Sequence, residues 1–260
     1  MFDPDFTIVQ FSDIHSTRVV GELINGFNGF ANFERLLTQV ETWAVQPDAV
    51  IVSGDLSNEG TLESYQRLRA TIEASSLANR PWYVGLGNHD DRAQFRAGYL
   101  RLPSDESNTL PYDHVADVNG LRIVTLDSTI PGEVGGALRE AQIEWLRQVL
   151  ASPAPRGTIL MVHHHVVPCP VPRLNEIALD QPERLAAVIQ GTDVRVILGG
   201  HIHFVHLGVL ARIPCFTAPG ILAQVIPTIP KPVTSVAGAG YNLIQIRGDL
   251  VTVTPGYLQN

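Results

Sequence analysis

Short apolar runs alternate with helically spaced apolar positions along the first hundred residues. FTIVQF, DAVIVS and PWYVGLG are compact runs, and between them lie Phe33, Leu36, Leu37, Val40 and Ala44, then Leu62, Tyr65, Leu68 and Ile72, three or four apart. That order predicts β-α-β-α-β. Such alternation favours a parallel sheet with helices over its faces and right-handed crossovers. After residue 100 the rhythm changes. HVADVNGLRIVTLDS predicts a hairpin around Asn119-Gly120, ALREAQIEWLRQVLA an amphipathic helix, GTILMVHHH a buried strand, ERLAAVIQG a helix stopped by glycine, and VRVILGGH another buried strand. HLGVLARIPCFT and YNLIQIRGDLVTVTPGY predict antiparallel hairpins turning at Ala211-Arg212 and Gly248-Asp249. The apolar but Pro- and Gly-rich stretch between them, about 219–240, predicts a long loop. It would cover either a partner subunit, making a homo-oligomer, or the chain's own sheet.

Composition narrows the classes. The chain has 260 residues, 45% of them apolar, enough for a sizeable core, and residues 1–260 are expected to form a single domain. Its formal charge of -8, from 18 Lys and Arg against 26 Asp and Glu, offers no basic stripe for a nucleic-acid polymer or an anionic membrane surface. The acidic start MFDPDFTIVQ is unlike a secretory signal, and no apolar run is long enough to span a bilayer. Cys169 and Cys215 are expected to stay reduced. These features together suggest a cytoplasmic protein.

The chemistry sits where the buried runs stop. Ligands of open parallel sheets bind beyond the carboxyl ends of the strands. There FTIVQF meets Asp13 and His15, DAVIVS meets Asp55, WYVGLG meets Asn88, His89 and Asp90, GTILMV meets His163, His164 and His165, and VRVILG meets His201 and His203. His201 and His203 would share a face if the extended conformation continued, as would His163 and His165. Any one of these groups has an ordinary structural explanation as a turn former, a cap or a hydrogen-bonded core histidine. Gathered at one sheet edge, they would be costly to bury without a cation. Carboxylate, carboxamide and imidazole without thiolate suit first-row divalent metals, and so many donors exceed the needs of one ion.

Taken in order, Asp13-x-His15, Gly54-Asp55-x-x-Asn58, Gly87-Asn88-His89-Asp90, His163 after a strand and Gly200-His201-x-His203 resemble the calcineurin-like metallophosphoesterases over essentially the whole chain. GNHDDR and GTDVRVILGGHIH look most like the bacterial class III cyclic-nucleotide phosphodiesterases, and GDLSNEG is similar to the glycerophosphodiesterase relatives. The resemblance implies an α/β fold: a four-layer α/β/β/α sandwich of two mixed sheets, with the metal site at the carboxyl ends of the central strands. It implies two divalent or trivalent metal ions (Mn, Fe, Zn or Co), one held by Asp13, His15, Asp55 and His203, the other by Asp55, Asn88, His163 and His201. Asp55 would bridge them. A metal-bridging hydroxide would attack phosphorus. His89 would contact the phosphate or protonate the leaving oxygen, and Asn58 occupies the position of its orienting partner, where many phosphatases have Asp. His164 and His165 depart from the family's His-His-Pro-Pro continuation and are candidates for substrate contact or for supporting the ligands. The implied activity is hydrolysis of a small phosphodiester, 3′,5′-cyclic nucleotides first. The alternatives are a glycerophosphodiesterase, a broad-specificity phosphodiesterase or phosphomonoesterase, and, weakest because every ligand position is filled, a non-catalytic scaffold.

Overall fold

The computed structural model describes residues 5–103, 109–227 and 234–259. The first strands and helices follow the predicted alternation: β1 (Phe6–Phe11), α1 (Gly29–Glu41), β2 (Ala49–Ser53), α2 (Leu62–Ala74), β3 (Trp82–Gly85) and α3 (Arg92–Gly98). The hairpin β4 (His114–Val118) and β5 (Leu121–Leu126) comes next, turning through Asn119 and Gly120, both at positive φ as a tight hairpin requires. Then come α4 (Glu140–Val149), β6 (Thr158–Val162), the short α5 (Pro172–Asn175), α6 (Pro182–Ile189), β7 (Val194–Gly199), β8 (Leu207–Leu210) and β9 (Ile213–Thr217). The chain continues with β10 (Gln224–Ile226), β11 (Thr234–Val236), β12 (Gly240–Arg247) and β13 (Leu250–Tyr257).

Two large mixed sheets result. One has the order β13-β12-β1-β2-β3, the other β4-β5-β6-β7-β9-β8, and the late hairpins divide between them. β12 pairs antiparallel with β1, and β9 runs parallel beside β7. Alternation within single strands builds the layers. In β1, Phe6 and Ile8 join Ile159, Met161, Val196 and Leu198 between the sheets, while Val9 and Phe11 pack outward with Phe33, Leu36 and Leu68 of the helices. On the far side, Leu160, Val162 and Ile197 pack under Leu146 of α4 and Leu185 of α6. Strands buried on both faces explain why their sequences are continuously apolar rather than alternating. Gln10 is an exception on the inner face: fully buried, it donates to Ser53 Oγ and Gly199 O, both at 2.9 Å, and so ties one sheet to the other under the strand ends.

The stretch expected as a loop over 219–240 is not all loop. β10 and β11 form a two-stranded antiparallel ribbon, whose connection falls outside the described residues. Before it, Ile221 and Ala223 are buried, and Ile221 joins the core beneath the helices. The chain covers itself here, because Ile221 N and Leu222 N donate to Ser12 O and Asp13 O at 3.0 and 2.9 Å.

A buried ion pair joins α3 to the second sheet. Arg92 donates from Nε to Asp127 at 2.7 Å and from Nη2 at 3.3 Å, and both side chains are almost wholly buried. Asp127 also accepts from Tyr112 N at 2.8 Å and Thr129 N at 3.0 Å. Asp127→Ala is therefore expected to destabilise the protein by about 3–5 kcal/mol, since it leaves a buried guanidinium and two backbone donors without their acceptor. Denaturant unfolding measures this; a loss below about 1 kcal/mol would show the pair to be dispensable.

Candidate metal centre

Three of the strands that point at the site, β1, β2 and β7, end in sharp turns. Asp13, His15, Asp55, His201 and His203 all have positive φ, between 49° and 72°, in the left-handed region that residues with a Cβ seldom enter. Such strain persists only where surrounding contacts over-determine it. Here the strand exits are laced together: Asp13 N donates to Gly54 O, His15 N to Asp55 O, Gly200 N to His163 O and Val225 N to His203 O, at 2.9 to 3.1 Å. The condition under which His201 and His203 would share a face, a continued extended run, is not met at these turns. β7 stops at Gly199, and the two imidazoles reach different groups.

Asp13, His15 and His203 form one cluster with ligand atoms within 4.8 Å of one another, and Asp55, His163 and His201 form another. Asp55 lies between them, its Oδ2 3.5 Å from His15 Nε2 and 3.4 Å from His163 Nε2. Nε2 of His203 is 3.4 Å from Asp13 Oδ1. Backbone carbonyls turn the rings: His163 Nδ1 donates to Ser53 O at 2.7 Å, His203 Nδ1 to Ala223 O at 3.2 Å and His201 Nε2 to Ile177 O at 3.0 Å. Each leaves its other nitrogen as the one available to a metal once that nitrogen carries no proton, the usual way a protein sets a metal-binding tautomer. Asn88 Oδ1 and His163 Nε2 are buried without a hydrogen-bond partner. Gly87 makes room, since a Cβ there would lie 2.3 Å from Asp55 Oδ1 and 2.7 Å from His163 Nε2. Orphaned donor atoms, a nitrogen and oxygen donor set and a shared carboxylate all fit a pair of cations.

Burial opposes charge throughout the site, and the contacts decide which groups keep it. Burial would raise Asp13, but His203 outweighs it and holds the carboxyl at about 2; Asp55 is likewise held well below the carboxylate range, chiefly by His163. Burial pulls His163 down, yet Asp55 carries it up to about 9, and Asp13 raises His203 in the same way. Burial prevails at His15, lowered to about 4, and at His201, lowered to about 3. Without metal, protons on His163 and His203 therefore balance the carboxylates. A cation has to displace them, so affinity is expected to rise with pH until His163 deprotonates near 9. Calorimetric titration of stripped protein at pH 7, in two buffers of different ionisation heat, should show about one to two protons released. Release of none would contradict this charge balance.

The remaining expected residues fall into distinct places. His89 is exposed at the rim, its backbone N donating to Asp55 Oδ1 at 3.0 Å and its Nδ1 to Asn58 O at 2.9 Å. The orienting partner is thus the backbone of Asn58, not its side chain. The Asn58 amide instead accepts from His15 Nδ1 at 3.2 Å and donates to Glu59 Oε1 at 2.8 Å. Asn58→Asp leaves the carbonyl that holds His89 in place, so the ratio of diester to monoester turnover should stay within about twofold while the strengthened His15 changes metal affinity. A ratio shifted tenfold toward monoesters would restore a side-chain role at His89. His164 is fully buried, pairing with Ser128 Oγ at 2.7 Å and donating to Val134 O at 3.1 Å. It fastens the loop after β5 to the site floor and is spent there. His165 is buried, its ring 6.0 Å from that of His201; neither nitrogen makes a hydrogen bond, and the neighbouring Asn175 amide is committed at both ends to Cys169. Asp90 has a role that its place in Asn88-His89-Asp90 did not reveal. Its carboxylate accepts from Leu56 N, Ser57 N, Gly87 N and Tyr65 Oη at 2.9 to 3.1 Å, locking the turns that carry Asp55 and Asn88 to each other.

A sandwich of two mixed sheets with clustered carboxylates and imidazoles at its strand ends defines a metal-binding hydrolase architecture. Residues 6–205 match the family model described as calcineurin-like phosphoesterase, and the chain belongs to that family. A probable cyclic nucleotide phosphodiesterase of Rhodococcus erythropolis is 38% identical over 83% of this chain and 70% of its own. A cAMP/cGMP dual specificity phosphodiesterase of Mycobacterium tuberculosis is 36% identical over 83% of this chain and 67% of its own. Among solved structures, a dimetal phosphatase from Danio rerio superposes with a TM-score of 0.68 at 16% identity, covering 99% of this chain and 100% of that one, a likeness of fold. Among the described residues no helix is long and apolar enough to cross a membrane.

Proposed function

We propose that the protein is a two-metal phosphodiesterase that hydrolyses 3′,5′-cyclic nucleotides. The observation that carries the two-metal reading is Asp55, which stands between the two donor clusters, 3.5 Å from His15 of one and 3.4 Å from His163 of the other. Asp13, His15, Asp55 and His203 would hold one ion, and Asp55, Asn88, His163 and His201 the other. Bound there, the ions supply Lewis-acid activation of a phosphoryl oxygen and of water. Their charge also draws an anion to a chain whose net charge is -8. The protein's own groups do the rest. Ser53, Ile177 and Ala223 carbonyls fix the ligand tautomers, Asp90 holds the turns bearing Asp55 and Asn88, and Asn58 O fixes the tautomer of His89. With Nδ1–H held on Asn58 O, a second proton taken up at Nε2 gives the imidazolium, which would pass that proton to the leaving alkoxide and return to the neutral ring.

The cyclic-nucleotide substrate rests on the two relatives above, which share more than a third of their aligned residues with this chain. Buried free thiols at Cys169 and Cys215 suit a reducing cytoplasm. The test is a panel of cyclic nucleotides, glycerophosphodiesters and a monoester, assayed on stripped protein reloaded with Mn, Fe, Zn or Co in turn. Cyclic nucleotides should have the highest kcat/KM. A tenfold preference for glycerophosphodiesters or for the monoester would replace this substrate assignment without touching the metal centre.

A further inference from the structure

Beside Asn88 lies a cavity of about 240 Å³, open to solvent between the start of α3 and the turn Thr129–Gly132 after β5. Asn88, a proposed metal ligand, is part of its lining, so the cavity adjoins the metal centre. Its size is below the roughly 300–1,000 Å³ of pockets for drug-sized ligands and suits a single nucleoside.

The charges on its wall are already committed. Of the five N–H donors of Arg92, two go to Asp127, one to Thr109 O at 3.3 Å and one to Thr129 O at 2.8 Å. Thr129 Oγ1 donates to Asp127 Oδ1 at 2.7 Å. Asp91, which caps α3 by accepting from Gln94 N at 2.8 Å, adds negative charge at the rim. Among the described lining residues, a second phosphate would therefore meet a carboxylate and a guanidinium already paired with Asp127. The surface left to a ligand is Ala93, Ile130 and Pro131, an apolar wall with hydroxyl and amide groups at its edges. A flat, uncharged ring with hydrogen-bonding edges matches it.

We propose that this cavity is the nucleoside subsite, with Ala93, Ile130 and Pro131 packing on the base, so that these residues set the preference for nucleotides over smaller diesters. The assignment rests on the cyclic-nucleotide reading of the metal centre. None of the three is a proposed ligand or proton carrier, which lets the subsite be altered while the centre is kept.

The test compares 5′-AMP, the hydrolysis product, with inorganic phosphate, which needs only the metals. Both are titrated calorimetrically into the metal-loaded wild type, Ala93→Phe, which fills the cavity, and Ile130→Ala, which removes part of its wall. The expected result is a tenfold or greater loss of AMP affinity in Ala93→Phe and a severalfold loss in Ile130→Ala, with phosphate affinity within twofold throughout and KM for the cyclic nucleotide rising in parallel. AMP affinity unchanged in both variants would overturn the subsite. So would an equal loss of AMP and phosphate in both, or wild-type AMP binding no tighter than phosphate. Failure of the cyclic-nucleotide reading would show separately, as wild-type turnover of a small chromogenic diester with none of cyclic nucleotides.

Discussion

Asp55→Ala is expected to leave the purified protein with at most one metal per chain and to lower kcat/KM for a diester by about 10³-fold or more, equivalent to about 4 kcal/mol of transition-state stabilisation. The size follows from position. Asp55 Oδ2 lies 3.5 Å from His15 Nε2 and 3.4 Å from His163 Nε2, so the substitution removes the carboxylate that stands between a histidine of each cluster. What remains is one acid, Asp13, with neutral Asn88 and the histidines, too little negative charge to hold two cations close together. The fold should survive, because the proton that Asp55 holds on His163 can leave with it. Elemental analysis and circular dichroism check both halves. Two metals per chain with normal turnover in a folded variant would disprove the bridge.

The fold was legible in the sequence wherever burial leaves a periodic trace. Strands covered on both faces must be apolar throughout, so FTIVQF and VRVILG stand out, and Asn119-Gly120 fits the left-handed turn it makes. Pairings between distant segments leave no such trace. Nothing local says that β12 inserts beside β1, or that β9 lies between β7 and β8, because those choices are made by the packing of whole sheets. The ribbon in the Pro- and Gly-rich stretch was hidden for a related reason: its strands are three residues each, too short to show a period.

The candidate site divides along the same line. Donor types are written in the side chains at the strand ends, and the structure gathers Asp13, His15, Asp55, His163, His201 and His203, with His89 at the rim, into overlapping clusters. Their orientation comes from the backbone. The carbonyls of Ser53, Ile177, Ala223 and Asn58 turn four histidine rings, and a carbonyl has no residue type by which to recognise it. An extended strand therefore does not continue through His201 and His203, since both take a left-handed conformation held by partners far away in sequence. Assigning the Asn58 side chain to His89 failed for the same reason, one residue's carbonyl and amide serving two different rings.

His89→Ala separates proton delivery from metal binding. The ring is exposed at the rim, its backbone N anchored on Asp55 Oδ1 at 3.0 Å and its Nδ1 on Asn58 O at 2.9 Å, so the ring's position is keyed to Asp55 without the ring being needed to hold that carboxylate. Loss of a general acid costs about 10²–10⁴-fold when the leaving group is a poor one. A ribose alkoxide is poor and needs a proton, whereas 4-nitrophenolate leaves unaided. For a 3′,5′-cyclic nucleotide kcat should thus fall by about 10²–10³-fold, and for a 4-nitrophenyl diester by less than about tenfold, with two metals retained. The competing role is also geometric, because a ring nitrogen of His89 lies within 4.8 Å of ligand atoms of His15 and Asp55. If His89 were a ligand, the variant would lose metal and both substrates would suffer alike. Equal losses with both metals retained would instead make His89 a contact to the phosphate. Only a loss that grows with the basicity of the leaving group identifies it as the proton donor.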